Sequence, residues 1–361
     1  MRSFIRQISS SDSPGRLIAR SLEGAWRPDA ERLSISSDAL HEIASLLLVT
    51  DTAALVWRRL QPHTITSSWA LAYFKEAHRK HTIESAVHEA NVRDAFRRLR
   101  SVRIEPILFK GWAVARLYPE AGLRPYGDLD LWMGAPDLQV FNCEIQSNGD
   151  PGYRVEPHSR FYPQYARSFD NVMDHSQLVP LGDIQVRVPG QEDHLRLICL
   201  HFLYHGGWRP LWLCDIALLT ESAGTGFDWD LCLGSNAKHA DWIACAIGLA
   251  HELLGARVAG TPVEKRARGL PRWLITAVLK QWEKGGGISF AENLSFSFPR
   301  RLLDPKALVR ALREHWRNPV QASVEMNAWF SEAPRLPLQF GSAVKHVPQF
   351  ARYFGKQSRR P

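Results

Sequence analysis

The chain is short of cysteine: it has five, Cys143, Cys199, Cys214, Cys232 and Cys245, and no Cys-x-x-Cys pair. An odd, scattered set builds neither a disulfide framework nor a zinc knuckle and fits a reducing compartment. Long apolar runs are missing as well. Stretches such as Leu46 to Val49 fall far short of the roughly 20 residues that a membrane-spanning helix needs. The opening Met-Arg-Ser-Phe-Ile-Arg is followed by polar residues, not by the apolar run of a signal peptide. A cytoplasmic protein without membrane insertion is therefore expected. No internal repeat and no long tract of one residue type is present, and 45% hydrophobic with 23% charged residues is the composition of a folded globular chain rather than a disordered one.

What the chain does have is length and a positive surplus. A total of 361 residues buries at least one full core and allows two or three structural units. The formal net charge of +8 favours acidic partners, but 37 acidic residues are interspersed with the basic ones. That pattern suits a phosphate-bearing ligand better than a nucleic acid.

Periodicity divides the chain. Residues 1–36 carry Ser, Pro, Gly and Arg without a clear period, and an irregular N-terminal arm is expected there. Over 37–103 the pattern is helical: Asp38 caps a stripe of Leu40, Ile43, Ala44, Leu47 and Leu48, and Ile83, Ala86, Val87 and Ala90 follow the same spacing. An α/β core is expected over 104–190. It comprises a buried strand at Ile107-Leu108-Phe109, a Lys110-Gly111 turn, a short helix from Trp112 to Tyr118, and a loop from Pro119 to Gly127. A half-buried strand from Asp128 to Met133, a helix near Pro136, and strands at Tyr153–His158 and Asp183–Val188 complete it. Helical spacing returns over 191–285, and 286–361 mixes Pro, Phe and Arg before a basic tail. The fold class is α+β, a small mixed-sheet core flanked by helical regions.

Within the core, Asp128 and Asp130 alternate with Leu129, Leu131 and Met133. On a strand, residues two apart share a face at roughly 6.5–7 Å. Two carboxylates held this way, backed by an apolar face, can share hard divalent ions of the Mg²⁺ or Mn²⁺ kind. Upstream, Lys110-Gly111 joins a strand to a helix, where free backbone N–H groups attract phosphate and a lysine can neutralise it.

The order of strand, glycine turn, helix, loop and Asp-x-Asp strand resembles the nucleotidyltransferase superfamily that includes DNA polymerase β. Several segments look like its uncharacterised bacterial nucleotidyltransferase family: Leu108-Phe109-Lys110-Gly111, Leu117-Tyr118-Pro119 and Arg124-Pro125-Tyr126-Gly127-Asp128-Leu129-Asp130-Leu131. So do Glu192-Asp193-His194-Leu195-Arg196-Leu197, His205-Gly206-Gly207-Trp208-Arg209-Pro210-Leu211-Trp212 and Cys214-Asp215. The resemblance implies transfer of a nucleoside monophosphate from a nucleoside triphosphate, such as ATP, to an acceptor hydroxyl or phosphate. It implies Asp128, Asp130 and a third carboxylate as metal ligands. Glu156, in Val155-Glu156-Pro157-His158, is the choice for the third, with Asp174 and Asp183 as competitors. Lys110, Gly111, Arg124 and His158 are expected to contact the nucleotide; Arg124 could equally pair with an aspartate.

Trp112 stands where the superfamily commonly has Ser or Gly, and an indole there is expected to narrow the nucleotide site. His201 and His205, four apart on a helix, are expected to make helix contacts rather than bind zinc, and Asp215 to pair with Arg209 or a histidine. The 13 tryptophans read as core. Two rival readings stand beside the enzyme: a binding protein on the same fold without catalysis, and an RNA-modifying terminal transferase. The second would need the Arg93–Arg103 stretch to extend into a basic groove. A small molecule, peptide or sugar is the expected acceptor.

Overall fold

The computed structural model describes residues 12–60, 68–148, 152–160, 165–285 and 316–345. The basic tail expected at the C-terminus lies outside these residues. Three helices open the chain: α1 (Pro14–Leu22), α2 (Ser37–Val49) and α3 (Ala53–Arg59), followed by the 33-residue α4 (Trp69–Ser101). The first of them corrects the expected irregular arm. Leu17, Ile18 and Leu22 of α1, with Ala25 and Trp26 just beyond it, are buried in the main core.

Next come β1 (Ile107–Leu108), α5 (Gly111–Ala115), β2 (Leu129–Trp132), α6 (Ala135–Asn148) and β3 (Val155–His158). β2 is central, antiparallel to β1 and parallel to β3, so the three-stranded sheet is mixed. α7 (Phe169–His175) leads into a separate hairpin of β4 (Gln177–Leu181) and β5 (Ile184–Val188). The expected strand at Asp183–Val188 is the second arm of that hairpin. Among the described residues there follow the helices α8 (Gln191–Tyr204), α9 (Pro210–Glu221), α10 (Trp229–Leu233), α11 (Ala237–Leu254), α12 (Glu264–Ala267), α13 (Arg272–Trp282) and α14 (Pro319–Glu325), with further helical residues over 336–345. The fold is α+β with a small mixed sheet among helices.

The small sheet lies between two cores. Leu129, Leu131 and Met133 enter one, with Leu108, Val92, Phe96, Leu99 and Val186. Trp132, Ile107 and Phe109 face the other, built by α1–α3, the start of α4, and α8–α13. Period-two alternation feeds the two faces. β2 is therefore buried along its whole length rather than half-buried, because helices cover the aspartate face too.

α4 ties the two cores together. Its start puts Ala70 and Phe74 into the main core, and its end puts Val92, Ala95, Phe96 and Leu99 into the second. The loop before β2 crosses α4 at Gly122, where φ is +83° and an added Cβ would meet the Thr82 amide at 2.7 Å. No side chain fits there.

Candidate active site

Seven residues singled out in the sequence, Lys110, Gly111, Arg124, Asp128, Asp130, Glu156 and His158, line one cavity of about 750 Å³. That is a size suited to a small-molecule ligand. The sheet builds its floor. Register pairs Asp130 with Glu156 and Trp132 with His158 across β2 and β3, so Asp130 and Glu156 are side by side on one face, with His158 one pleat further on. Parallel neighbours lie about 4.8 Å apart, closer than the roughly 6.5–7 Å between alternate residues of one strand. The tightest group is accordingly Asp130, Glu156 and His158, whose ligand atoms all lie within 4.8 Å of one another. Asp128 lies one residue ahead of β2, lines the same cavity, and stands outside that group.

The competitors for the third carboxylate are elsewhere. Asp174 is exposed on α7, and Asp183, at the β4–β5 turn, pairs with Arg97. Glu156 lines the cavity and pairs with Arg154.

Asp130 is 5% exposed and carries two partners on one oxygen. Lys110 Nζ donates to its Oδ1 at 3.1 Å, and His158 Nε2 lies 3.1 Å from the same atom. Burial pushes this carboxyl up, but the His158 hydrogen bond and the Lys110 charge outweigh it and hold the group below its ordinary value. Asp130 is thus ionised at neutral pH. Lys110 itself has φ 56° and ψ −144°, a conformation that costs a residue with a side chain about 1–3 kcal/mol.

Two expectations change. Trp112 does not face the cavity: it is 4% exposed in the second core, and its Nε1 donates to Glu89 at 3.4 Å. The helix beginning at Gly111 turns the indole away from the cavity, so it narrows nothing. Arg124 is held by a buried partner. Its Nη2 donates to Asp215 Oδ2 at 2.8 Å and its Nε to Oδ1 at 3.3 Å, while Tyr118 donates to Oδ1 at 2.8 Å. Asp215 therefore pairs with Arg124, not with Arg209 or a histidine.

The sequence reading gave no site role to a second wall. His201 and His205 of α8, Arg209, and Trp212 of α9 all line the cavity, as do Asp51 and the α4 residues Lys80, His81, Glu84 and His88. On α4 these last fall at spacings of three and four, one helical face, a signal that was present but unread. Burial first, then the charge of Lys110, draws His201 well below its ordinary value, so it is neutral at pH 7. Among the described residues no third ligand completes a zinc set with His201 and His205.

A family model described as uncharacterised nucleotidyltransferase matches residues 36–255. The chain belongs to that family. The match runs from the N-cap of α2 to the C-cap of α11 and contains every cavity residue named above. No curated protein and no solved structure matches the chain. As a nucleotidyltransferase it is a transferase enzyme. Among its described residues no helix is long and apolar enough to cross a membrane.

Proposed function

We propose that this nucleotidyltransferase moves a nucleoside monophosphate from a nucleoside triphosphate to a hydroxyl or phosphate of a small molecule, peptide or sugar, using Mg²⁺ or Mn²⁺. The observation that carries the reading is the convergence of Asp130, Glu156 and His158 within 4.8 Å, in the same cavity as Asp128 and Lys110. Two carboxylates and an imidazole form a donor set for a divalent ion, and the nitrogen favours Mn²⁺ over Mg²⁺. Asp130, Glu156 and His158 would hold it, with Asp128 beside them. An ion bound there supplies charge neutralisation as pyrophosphate leaves.

The chain's own residues do the rest. Lys110 takes a phosphate oxygen, and in the ion-free protein the His158 hydrogen bond orients Asp130. Glu156 accepts the proton of the acceptor hydroxyl as its oxygen bonds to the α-phosphorus and the bond to pyrophosphate breaks. Glutamate, part-exposed in the cavity wall, can pass that proton to water.

The terminal-transferase reading has less support. Arg97, Arg98 and Arg100 are paired with Asp183, Asp94 and Glu105 rather than presented together. The reading is tested by incubating the protein with each of the four labelled triphosphates, Mn²⁺ and candidate acceptors. Pyrophosphate release should fall about 100-fold or more in an Asp128→Asn, Asp130→Asn variant. Equal release by variant and wild type would overturn catalysis at this site.

A further inference from the structure

Arg209, immediately before α9, lines the cavity but has no part in the scheme above. Its guanidinium carbon lies 5.5 Å from the ring centre of Trp212 and 5.9 Å from that of Trp208, so two indoles restrict how it can turn. Its Nη2 donates to Asp51, while its Nε is buried without a hydrogen-bond partner.

Nε and Nη2 form the side-on edge of a guanidinium, the edge that grips a carboxylate or phosphate through two parallel bonds. Asp51 uses half of it. A buried donor left unmatched is unfavourable, so this edge is better filled by an oxyanion that reaches both atoms.

Whether Arg209 can release Asp51 depends on what release costs the carboxylate. The Asp51 side chain is 36% exposed, whereas Asp215, the partner of Arg124, is at 0%. Water can re-solvate Asp51 when its partner leaves; Asp215 would be stranded, at high cost. Arg124 is therefore fixed and Arg209 is exchangeable. Arg209 lines the same cavity as Lys110, the lysine that contacts Asp130.

We propose that Arg209 is a phosphate-binding residue of the cavity, exchanging its one-sided pairing with Asp51 for a two-bond grip on phosphate oxygens. The phosphate chemistry is common to two sources, the polyphosphate tail of the donor and a phosphate on the acceptor. Only the identity of the ligand rests on the nucleotidyl-transfer reading.

The test is calorimetric titration of the full chain with inorganic tripolyphosphate in metal-free buffer. Wild type should bind, and Arg209→Gln should bind about tenfold more weakly or worse. Asp51→Asn should bind more tightly, by about threefold or more, because it removes the competing carboxylate. A gain cannot arise from a folding defect, and it should vanish when Asp51→Asn is combined with Arg209→Gln; a gain that persists in the double variant reflects only the loss of a cavity carboxylate and counts against the seat. If ATP displaces the tripolyphosphate, the seat serves the donor's tail; if both bind together, it serves a phosphate on the acceptor. The proposal is overturned if wild type takes up no tripolyphosphate, if Arg209→Gln retains wild-type affinity, or if Asp51→Asn does not bind more tightly. Aspartate-dependent pyrophosphate release is a separate readout: if wild type releases pyrophosphate yet takes up no tripolyphosphate, or binds it no better than Arg209→Gln does, the seat fails and nucleotidyl transfer stands.

Discussion

Lys110 combines a strained backbone with a side chain that does two things. Its ammonium lies 5.0 Å from the Phe109 ring centre and 3.1 Å from Asp130 Oδ1, and these attractions offset the cost of its positive φ. The ammonium thereby occupies space on the oxygen that an ion at Asp130, Glu156 and His158 would use. Removing it should leave that oxygen more available. On the proposed reading, Lys110→Gln raises the Mn²⁺ affinity of the ligand-free protein roughly fivefold or more, measured by the electron paramagnetic resonance of free Mn²⁺, with Asp130→Asn as the zero. Affinity unchanged or lowered in Lys110→Gln would show that lysine and ion do not compete. Lys110 and Asp130 are visible as candidates in the sequence because strand alternation and a two-residue turn are local, whereas Glu156 is a candidate only through the family resemblance, with Asp174 and Asp183 beside it. That Glu156 is nearer to Asp130 than alternation along β2 would suggest depends on register between strands, which the sequence does not display.

Elements so far apart in sequence are joined by a few buried polar contacts that no local pattern reveals. The segment from α5 to β2, which delivers Asp128, is pinned to α9 by Arg124 and Tyr118 on Asp215, with Arg124 and Asp215 separated by 91 positions. The local motif marked Arg124 as important, yet only tertiary packing shows what it holds. α1 was missed for a different reason. Its apolar stripe, Leu17, Ile18 and Leu22, is interrupted by arginines within nine residues, though Ser13 as N-cap and Pro14 at the first turn are a usable start signal. The pinning role makes a quantitative prediction. Asp215→Ala strands the Arg124 charge and should destabilise the fold by about 3–5 kcal/mol in denaturant melts. Arg124→Met combined with Asp215→Leu should recover most of that loss, since it removes both charges and refills the volume. If the double variant is as unstable as the sum of the singles, the pair is not acting as a unit.

At the scale of the whole molecule, the sheet can be buried on both faces only because helices with polar residues close over its aspartate side. α8 supplies much of that cover and brings histidines inside with it. His194 is 2% exposed and drawn down to about 3, by burial first and then by the charges of Arg116 and Arg124. His201, 6% exposed, is shifted the same way. Histidine in the unfolded chain titrates near 6.5, so between the folded and unfolded values the unfolded state binds more protons and stability rises with pH. The contribution is complete above about pH 6.5 and is lost as pH falls below it, at up to about 1.4 kcal/mol per pH unit for each histidine. Asp130 works in the same direction at lower pH: its carboxyl is held below the ordinary range, so its stabilisation disappears as pH falls through the folded value. The melting temperature should therefore decline steadily from pH 7 to pH 5. His194 Nε2 has no hydrogen-bond partner, so His194→Gln sacrifices no polar contact at that atom and removes one titrating group. The gap between variant and wild type should move in the variant's favour across that interval. Melting curves that stay parallel from pH 7 to pH 5 would mean that His194 is not buried in its neutral form.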